Sequence, residues 1–249
     1  MENVMIKKLI PFIIIILAVV LILSFVMILR ETSQSKEEKQ AFDALTEVVV
    51  QDEDVKIEEE ENVIRKRNLT PLFEENADCV GWVCIEGTAL DYPVMHTPNE
   101  PQKYLHLSFD KEYSYSGVPF LQESVNMDSD NLILYGHNMK NGSMFATITK
   151  YRERSFYEAH SVIEFETAEG LVYYDVFAVV MLKSNDSWYH FITAEDEGAY
   201  DQMVKAIKER ALYDTGMIPA HGQQLLTLST CYGENDDDRL ILIAAEQMK

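Results

Sequence analysis

The chain opens with an apolar segment that contrasts with the mixed sequence after it. From Leu9 to Leu29 there is no charged residue, and only Pro11 and Ser24 interrupt the apolar run. As an α-helix this segment would be about 31 Å long, close to the hydrocarbon thickness of a bilayer. The pattern predicts a single transmembrane helix, with residues 1–30 forming a short N-terminal stub and the membrane anchor.

The charges flanking this segment predict its orientation. Lys7 and Lys8 precede it, and the sequence after it soon becomes acidic, although Arg30 and two lysines lie nearby. Because basic residues are retained on the cytoplasmic side, we expect a cytoplasmic N-terminus and a C-terminal body at the outer face of the cell membrane. A cleaved signal peptide is the alternative. The apolar run is longer than the usual core of a signal peptide, and no small-residue cleavage site follows it.

Residues 31–68 are polar and charged, and they include the acidic run QDEDVKIEEEEN at residues 51–62. Such a composition is typical of a solvated stalk or an exposed helix, because it offers little apolar surface to bury. Compact sequence begins near Leu69, with no internal repeat and no Gly/Ser linker after it. We therefore expect one domain over residues 69–249.

The pattern within this domain is mostly that of β-strands. Short segments alternate between apolar and polar residues or form brief apolar runs bounded by turn residues. Together they predict a mostly-β barrel or sandwich. The segments are CVGWVCIEG (79–87), VPFLQ (118–122), NLILYGH (131–137), SVIEFET (161–167), LVYYDVFAVVML (171–182) and the two ends of LLTLSTCYGENDDDRLILIAAE (225–246).

One segment has helical periodicity instead. Apolar residues recur at positions 200, 203, 204, 207 and 211, which is the spacing of one helix face. Thr193 and Asp196 resemble a capping box at its start. The sequence predicts one helix over residues 195–211, inserted before the last two strands.

Composition excludes one class of partner and limits the role of the cysteines. Twenty-one basic against 42 acidic residues give a formal net charge of −21, which argues against nucleic-acid binding. Three cysteines are too few for a disulfide framework. Cys79 and Cys84 would face opposite sides of one strand, so we expect small buried hydrophobes rather than a disulfide or a zinc site.

The chemistry-bearing residues lie near the C-terminus. If residues 227–230 and 240–244 form adjacent antiparallel strands, Cys231 and Arg239 face each other across the base of the loop. A thiol becomes nucleophilic in positive surroundings, and a guanidinium can stabilise an oxyanion. The alternative is that Cys231 is an inert packed thiol and that Arg239 offsets the neighbouring acidic residues 236–238.

A thiol nucleophile also needs a group that transfers protons. His137 is the best candidate among the six histidines, because it follows a buried strand and a glycine that permits an unusual backbone turn. The other five lie in polar, irregular or helical sequence, which is typical of surface residues: His96, His106, His160, His190 and His221.

Three motifs together resemble the sortases, cysteine transpeptidases of Gram-positive cell surfaces. TLSTC at residues 227–231, followed eight residues later by Arg239, is similar to their cysteine and arginine signature. YGHNMKNGSMFATITKY at residues 135–151 is similar to their histidine segment. VGWVCIEGTALDYPVMHTPNEPQKYL at residues 80–105 is similar to the first strands of the class B branch. The motifs occur in the family order, and the resemblance extends over residues 76–245.

The resemblance implies a more specific fold than the strand pattern does. It implies a closed eight-stranded β-barrel with N-terminal helices, in which the predicted helix before the last two strands is the extra helix of class B. A lid motif of aspartate, proline and an aromatic residue does not precede the core, which counts against class C.

The resemblance also implies roles for individual residues. Cys231 would attack the carbonyl of a threonine in a sorting motif and form a thioester, His137 would transfer protons, and Arg239 would hold the motif and stabilise the oxyanion. Ser229 would contact substrate, and Asn99 and Tyr189 are weaker candidates placed by loop position alone.

The partners implied are secreted proteins with a C-terminal sorting motif and an amine of a peptidoglycan precursor, cell-wall peptide or other surface protein. Residues 9–29 would contact membrane lipid. No cofactor or metal is expected, because a solvated loop explains the acidic run ENDDD at residues 234–238 better than a calcium site does.

Two other functions compete with this one. The first is a non-catalytic extracellular binding module on a membrane stalk, with an unreactive Cys231. The second is a cysteine hydrolase of another fold. In papain-like enzymes the cysteine precedes the histidine, and L,D-transpeptidases give no reason for an arginine at the start of the last strand.

Overall fold

The computed structural model describes residues 2–49 and 65–248, which fall into two compact units, Met1–Leu45 and Thr46–Lys249. In the first unit, helix α1 begins at Glu2, and it extends to Val49 in the second. Within the described residues, one helix is long and apolar enough to cross a membrane, over Ile14–Val49. The acidic run at residues 51–62 lies outside the described residues.

The second unit contains a closed barrel of eight strands in the order β1-β2-β3-β4-β7-β8-β6-β5. This confirms the fold that the resemblance implied. Three short helices accompany the barrel, α2 (Thr70–Glu75), α3 (Arg154–Ala159) and α4 (Glu197–Lys208). The strands are β1 (Cys79–Cys84), β2 (Asp91–Met95), β3 (Phe120–Leu121), β4 (Asn131–Tyr135), β5 (Val162–Thr167), β6 (Gly170–Lys183), β7 (Leu225–Cys231) and β8 (Asp238–Glu246).

The last strand, β8, lies in the core of the barrel. Residues 240–245 of β8 are all fully buried, between β6 on one side and β7 on the other. Strands β7 and β8 are antiparallel neighbours, so the short loop between them brings the end of one beside the start of the other. Strands β4 and β7 are parallel, so both end at the same edge of the barrel.

Helix α4 lies between β6 and β7, which confirms the predicted extra helix but not its start. Asp196 is the N-cap residue, and its carboxylate accepts a hydrogen bond of 2.8 Å from the backbone N–H of Ala199. The capping box that began at Thr193 is therefore wrong, because Asp196 takes the capping position itself. Tyr200, Val204 and Ile207 are buried, as their helical spacing predicted.

Strand β2 was missed by the strand pattern, and its proline explains why. Pro93 lies opposite Trp82 in the antiparallel pair with β1, and a proline within a run argues against a central strand. The other neighbour, β3, pairs with β2 only between Met95 and Phe120. Most of the β2 edge that faces β3 therefore forms no ladder, and a proline is tolerated at such an open edge.

The outer surface of β1 and β5 carries a buried cluster of charges. Arg67 is 8% exposed, and its guanidinium lies 3.5 Å from Glu164, 3.6 Å from Glu166 and 3.1 Å from Asp91. The backbone N–H groups of Lys66 and Arg67 both donate to Glu166. These contacts fix the segment before α2 against the outside of the barrel.

All three cysteines are free thiols, as expected for Cys79 and Cys84. These two lie at opposite ends of β1, and burial raises the pKa of each to about 12. Both are protonated and inert over the physiological range.

Candidate active site

Cys231 is the last residue of β7 and is exposed. The ladder between β7 and β8 pairs it directly with Arg239, the second residue of β8. Directly opposed residues of an antiparallel pair have neighbouring Cβ atoms. The strand register thus brings together the thiol and the guanidinium that the sequence proposed as partners.

Hydrogen bonds to the backbone of its own loop orient Arg239. Its Nη1 donates to the carbonyl oxygens of Asp236 at 2.5 Å and Asp238 at 3.0 Å. The carboxylate of Asp238 instead accepts hydrogen bonds from Lys183 and Asn235, and these lower its pKa to about 2. Arg239 is therefore held by carbonyl groups, and the described contacts do not pair its charge with the acidic run.

His137 reaches the same edge of the barrel through the parallel pairing of β4 with β7. Tyr135 is in register with Ser229, and His137 and Cys231 each lie two residues further along. The backbone N–H of Gly136 donates to the Ser229 carbonyl at 3.2 Å, which continues the ladder beyond the end of β4. The side-chain amide of Asn138 donates to the Cys231 carbonyl at 3.0 Å.

The His137 ring contacts a neighbouring loop. Its Nε2 lies 3.0 Å from the carbonyl oxygen of Leu105. Because a carbonyl only accepts, Nε2 carries the hydrogen in this contact, and Nδ1 holds the free lone pair of the neutral ring. Burial lowers the pKa of His137; the Leu105 contact opposes this and His106 adds to it.

Gly136 is required for a reason other than the predicted turn. It does not adopt a positive φ, but a Cβ there would lie 2.6 Å from the Phe145 ring. The expectation of an unusual backbone turn at this glycine is wrong, and close approach of an aromatic ring explains the residue instead. The strained position is Met144, with φ of 53°, whose N–H donates to the Tyr92 hydroxyl.

Two of the three proposed substrate contacts belong to one buried cluster. The hydroxyls of Ser229 and Tyr189 are hydrogen-bonded at 2.8 Å, and both residues are buried. Burial raises the pKa of Tyr189 to about 12, while the Ser229 hydrogen bond and the charge of Arg239 lower it. Asn99 lies in an exposed turn after β2, and no hydrogen bond between described residues joins it to this cluster.

Three residues near the site were given no role by sequence reasoning. Asn138 and Tyr135 flank His137 inside the quoted motif, and Tyr135 stacks on Tyr189 with ring centroids 6.0 Å apart. The sequence around His106 indicated a surface residue. Its position beside His137 depends on the fold of a loop, which no local pattern disclosed. In the described part of the chain, no group of three or more His, Cys, Asp or Glu side chains is arranged to hold a metal ion.

Comparison with known proteins decides the family. Residues 83–247 match the family described as Sortase domain. The chain belongs to the sortase family. Two curated relatives are both named Sortase B. The protein from Listeria monocytogenes is 32% identical over 174 residues, covering 69% of this chain and 70% of that protein. The protein from Staphylococcus aureus is 30% identical over 189 residues, covering 72% and 76%.

Solved structures of sortase B have the same fold. The Staphylococcus aureus sortase B–substrate complex is similar with a TM-score of 0.76 and 25% identity, covering 86% of this chain and 98% of that chain. Clostridium perfringens sortase B gives a TM-score of 0.67 and 28% identity, covering 73% and 100%. The chain is thus a cysteine transpeptidase whose relatives are class B sortases, and neither a binding module nor a hydrolase of another fold is favoured.

Proposed function

We propose that this sortase uses Cys231 as the nucleophile, His137 as the proton-transfer group and Arg239 as the group that stabilises the oxyanion. The observation that carries the proposal is the strand register at one barrel edge. It pairs Cys231 with Arg239, and His137 directly follows Gly136, whose backbone N–H donates to β7. The proposal is supported by the position of all three residues at one edge of the barrel and by the exposure of the Cys231 thiol.

The first half of the reaction forms an acyl-enzyme. The thiol proton of Cys231 passes to His137, the sulfur attacks the carbonyl carbon of the threonine in the sorting motif, and the carbonyl oxygen becomes an oxyanion. The C–N bond then breaks, and His137 gives its proton to the leaving amine. The product is a thioester between Cys231 and the threonine carbonyl.

The second half returns the enzyme to its starting state. An incoming primary amine attacks the thioester carbon, and His137 takes a proton from that amine. The C–S bond breaks, the new amide forms, and the sulfur of Cys231 leaves and takes the proton back from His137. Arg239 donates hydrogen bonds to the oxyanion in both halves, from a guanidinium that the loop carbonyls already orient.

Residues around the catalytic group are proposed to contact the sorting motif. Ser229, two residues before Cys231 on β7, forms a buried hydroxyl pair with Tyr189. These two residues would act on the substrate through the shape and polarity of the surface beneath it. Asn99 remains a proposed contact, reached from an exposed turn. The donor is proposed to be a secreted protein with a C-terminal sorting motif.

The acceptor and location follow the same proposal. The acceptor would be an amine of a peptidoglycan precursor, cell-wall peptide or other surface protein; one similar sortase B structure is complexed with triglycine. Residues 1–30 would provide a cytoplasmic stub and a single-pass anchor, with residues 9–29 in lipid. Residues 31–68 would form the stalk and residues 69–249 the catalytic domain at the outer face, where both substrates are presented.

The test uses the full chain in detergent micelles and three peptides of the forms Asn-Pro-x-Thr-x, Ser-Pro-x-Thr-x and Leu-Pro-x-Thr-x, with triglycine as the amine. We expect mass spectrometry to detect a thioester on the peptide containing Cys231, and a product joining threonine to triglycine. His137→Ala should lose the product while keeping the folded spectrum of the parent.

The proposal is wrong if a peptide is joined to triglycine without an acyl group on Cys231, or if His137→Ala retains full activity. His221→Ala is the matched control, since His221 is an exposed histidine against Tyr200. It should keep the activity of the parent.

A further inference from the structure

A small hairpin at residues 106–114 contacts His137 through His106. Leu107 and Tyr113 form an isolated antiparallel bridge, and the N–H of Ser114 donates to the His106 carbonyl at 3.0 Å. The turn closes at Lys111, which has a φ of 65°. His106 therefore has a fixed backbone position, although its side chain is exposed.

The hairpin places three rings in a row. His106 stacks on His137 with ring centroids 5.4 Å apart and an angle of 30° between the ring planes. Tyr113 in turn stacks on His106, at 6.4 Å and 25°. A stacked ring limits the rotation of His137 about its side-chain bonds and shields one face from water. This contact orients the ring, independently of its hydrogen bond to Leu105.

Hydrogen bonds and close packing fix the segment that carries Leu105 and His106. The Tyr104 hydroxyl donates to Asp78 at 2.8 Å and accepts from the side-chain amide of Asn76 at 2.9 Å. At Gly117, a Cβ would lie 2.4 Å from the Leu105 carbonyl oxygen, so this position has no room for a side chain. The His106 ring and the Leu105 carbonyl, which belong to this one segment, thus both contact the His137 imidazole.

We propose that His106 is a positioning residue of this sortase, which holds the His137 ring by stacking on it. The inference rests on the proposed role of His137 as the proton-transfer group. It assigns to His106 no contact with the reacting atoms.

The contact with His106 also affects the protonation of His137. The influences on the pKa of His137 are burial, the Leu105 carbonyl and His106, and His106 is the one that acts as a like charge. A proton on His106 therefore disfavours a second proton on His137. The other titratable or charged groups of the hairpin and of the same barrel edge are Asp110, Lys111, Glu112, Tyr113, Tyr135, Lys183, Cys231, Asp238 and Arg239.

The experiment separates stacking from charge with two substitutions in the full chain in detergent micelles. His106→Phe keeps a planar ring without a charge, and His106→Ala removes both ring and charge. The primary readout is the NMR titration midpoint of the His137 imidazole in protein labelled at histidine carbon, which needs no substrate.

We expect the midpoint to rise in His106→Phe and to rise further in His106→Ala, where the ring also loses its cover. Where a peptide of the panel is turned over, the pH–activity limb that reports His137 should move to higher pH in both variants. kcat should fall roughly tenfold in His106→Ala, with KM little changed, and by less in His106→Phe.

His221→Phe is the matched control and should leave the His137 midpoint unchanged. An unchanged midpoint in both His106 variants overturns the inference, even if His137→Ala is inactive. Activity retained by His137→Ala would instead overturn the proposed function, so the two failures are distinguishable.

Discussion

Two cysteines of this protein end a strand, and they face opposite kinds of side chain. Cys84 ends β1 and is paired across the ladders with Asp91 on β2 and Glu164 on β5. Cys231 ends β7 and is paired with Arg239 on β8. Each lies near an arginine, yet only Cys231 is proposed as the nucleophile.

The two arginines differ in how far nearby carboxylates compensate their charge. Arg67, close to Cys84, is surrounded by the carboxylates of Asp91, Glu164 and Glu166, so its charge is already compensated. Burial and the charge of Asp91 raise the pKa of Cys84 to about 12, against the opposing effect of Arg67. Arg239 is held by backbone carbonyls beside an exposed thiol, so its charge remains available to a substrate.

The largest expected effect comes from removing each thiol in turn. Cys231→Ala should reduce transpeptidation at least about a thousandfold, because no other group can form the thioester. Cys84→Ala should retain the parent kcat/KM in the same product assay, with a modest loss of stability. Comparable activity losses in the two variants would erase the distinction between the strand ends.

The arginines should divide activity from stability. Arg239→Ala should lower kcat/KM about a hundredfold or more with a nearly unchanged free energy of unfolding. Arg67→Ala should reduce the free energy of unfolding by about 3–5 kcal/mol, because it removes the guanidinium that compensates the buried carboxylates of Glu164 and Glu166. Denaturant titration and initial rates on one set of samples measure both quantities.

Arg154→Ala is the matched control for the effect on stability. Arg154 makes an exposed pair with Glu158 at 2.9 Å, and its removal should cost less than about 1 kcal/mol. If Arg67→Ala were as mild as Arg154→Ala, the buried cluster would contribute nothing specific to the fold.

Alkylation under native conditions should distinguish the thiols by access. Iodoacetamide should modify Cys231 at least about ten times faster than Cys79 or Cys84, which react only when the barrel opens. Peptide mass spectrometry at successive times measures the three rates. In denaturant the rates should converge, and persistence of the difference there would mean that burial is not its cause.

The smallest effect is the pH dependence that a buried thiol confers. The pKa of Cys84 is raised from 9.0 to about 12 in the folded state, so the unfolded chain releases this proton first. The stability is full below about pH 9 and declines as pH rises above it, by about 1 kcal/mol between pH 8 and pH 10 for this thiol. Cys84→Ala should show a shallower decline in denaturant titrations, and an identical slope would contradict the raised pKa.

The sequence was informative where a signal is local. Seven of the eight strands and helix α4 follow from apolar runs, alternation and helical spacing, because the positions buried in each element are mostly apolar. Strand β2 escaped because Pro93 argues against a strand unless the neighbouring edge is known to be open. The start of α4 was misplaced because Thr193 and Asp196 both suit a cap, and only the path of the chain selects Asp196.

The site was partly predictable for the same reason. Cys231 and Arg239 are joined by a short loop, so their pairing could be inferred from a hairpin. The contact between His106 and His137 depends on how the 106–114 hairpin folds against β4, and no periodicity encodes it. Likewise, the sequence placed a glycine before His137 but could not identify the Phe145 ring that requires it.

The parallel alignment of β4 with β7 has a consequence for the order in which this enzyme is assembled. A parallel pair cannot be joined by a tight turn, and here everything from Gly136 to Gln224, including β5, β6 and α4, intervenes. Such a distant pairing forms late, after the entropy of closing a long loop has been overcome. Until this pairing forms, Cys231 and His137 are not held at the same edge, so the proposed site is complete only once the barrel has closed.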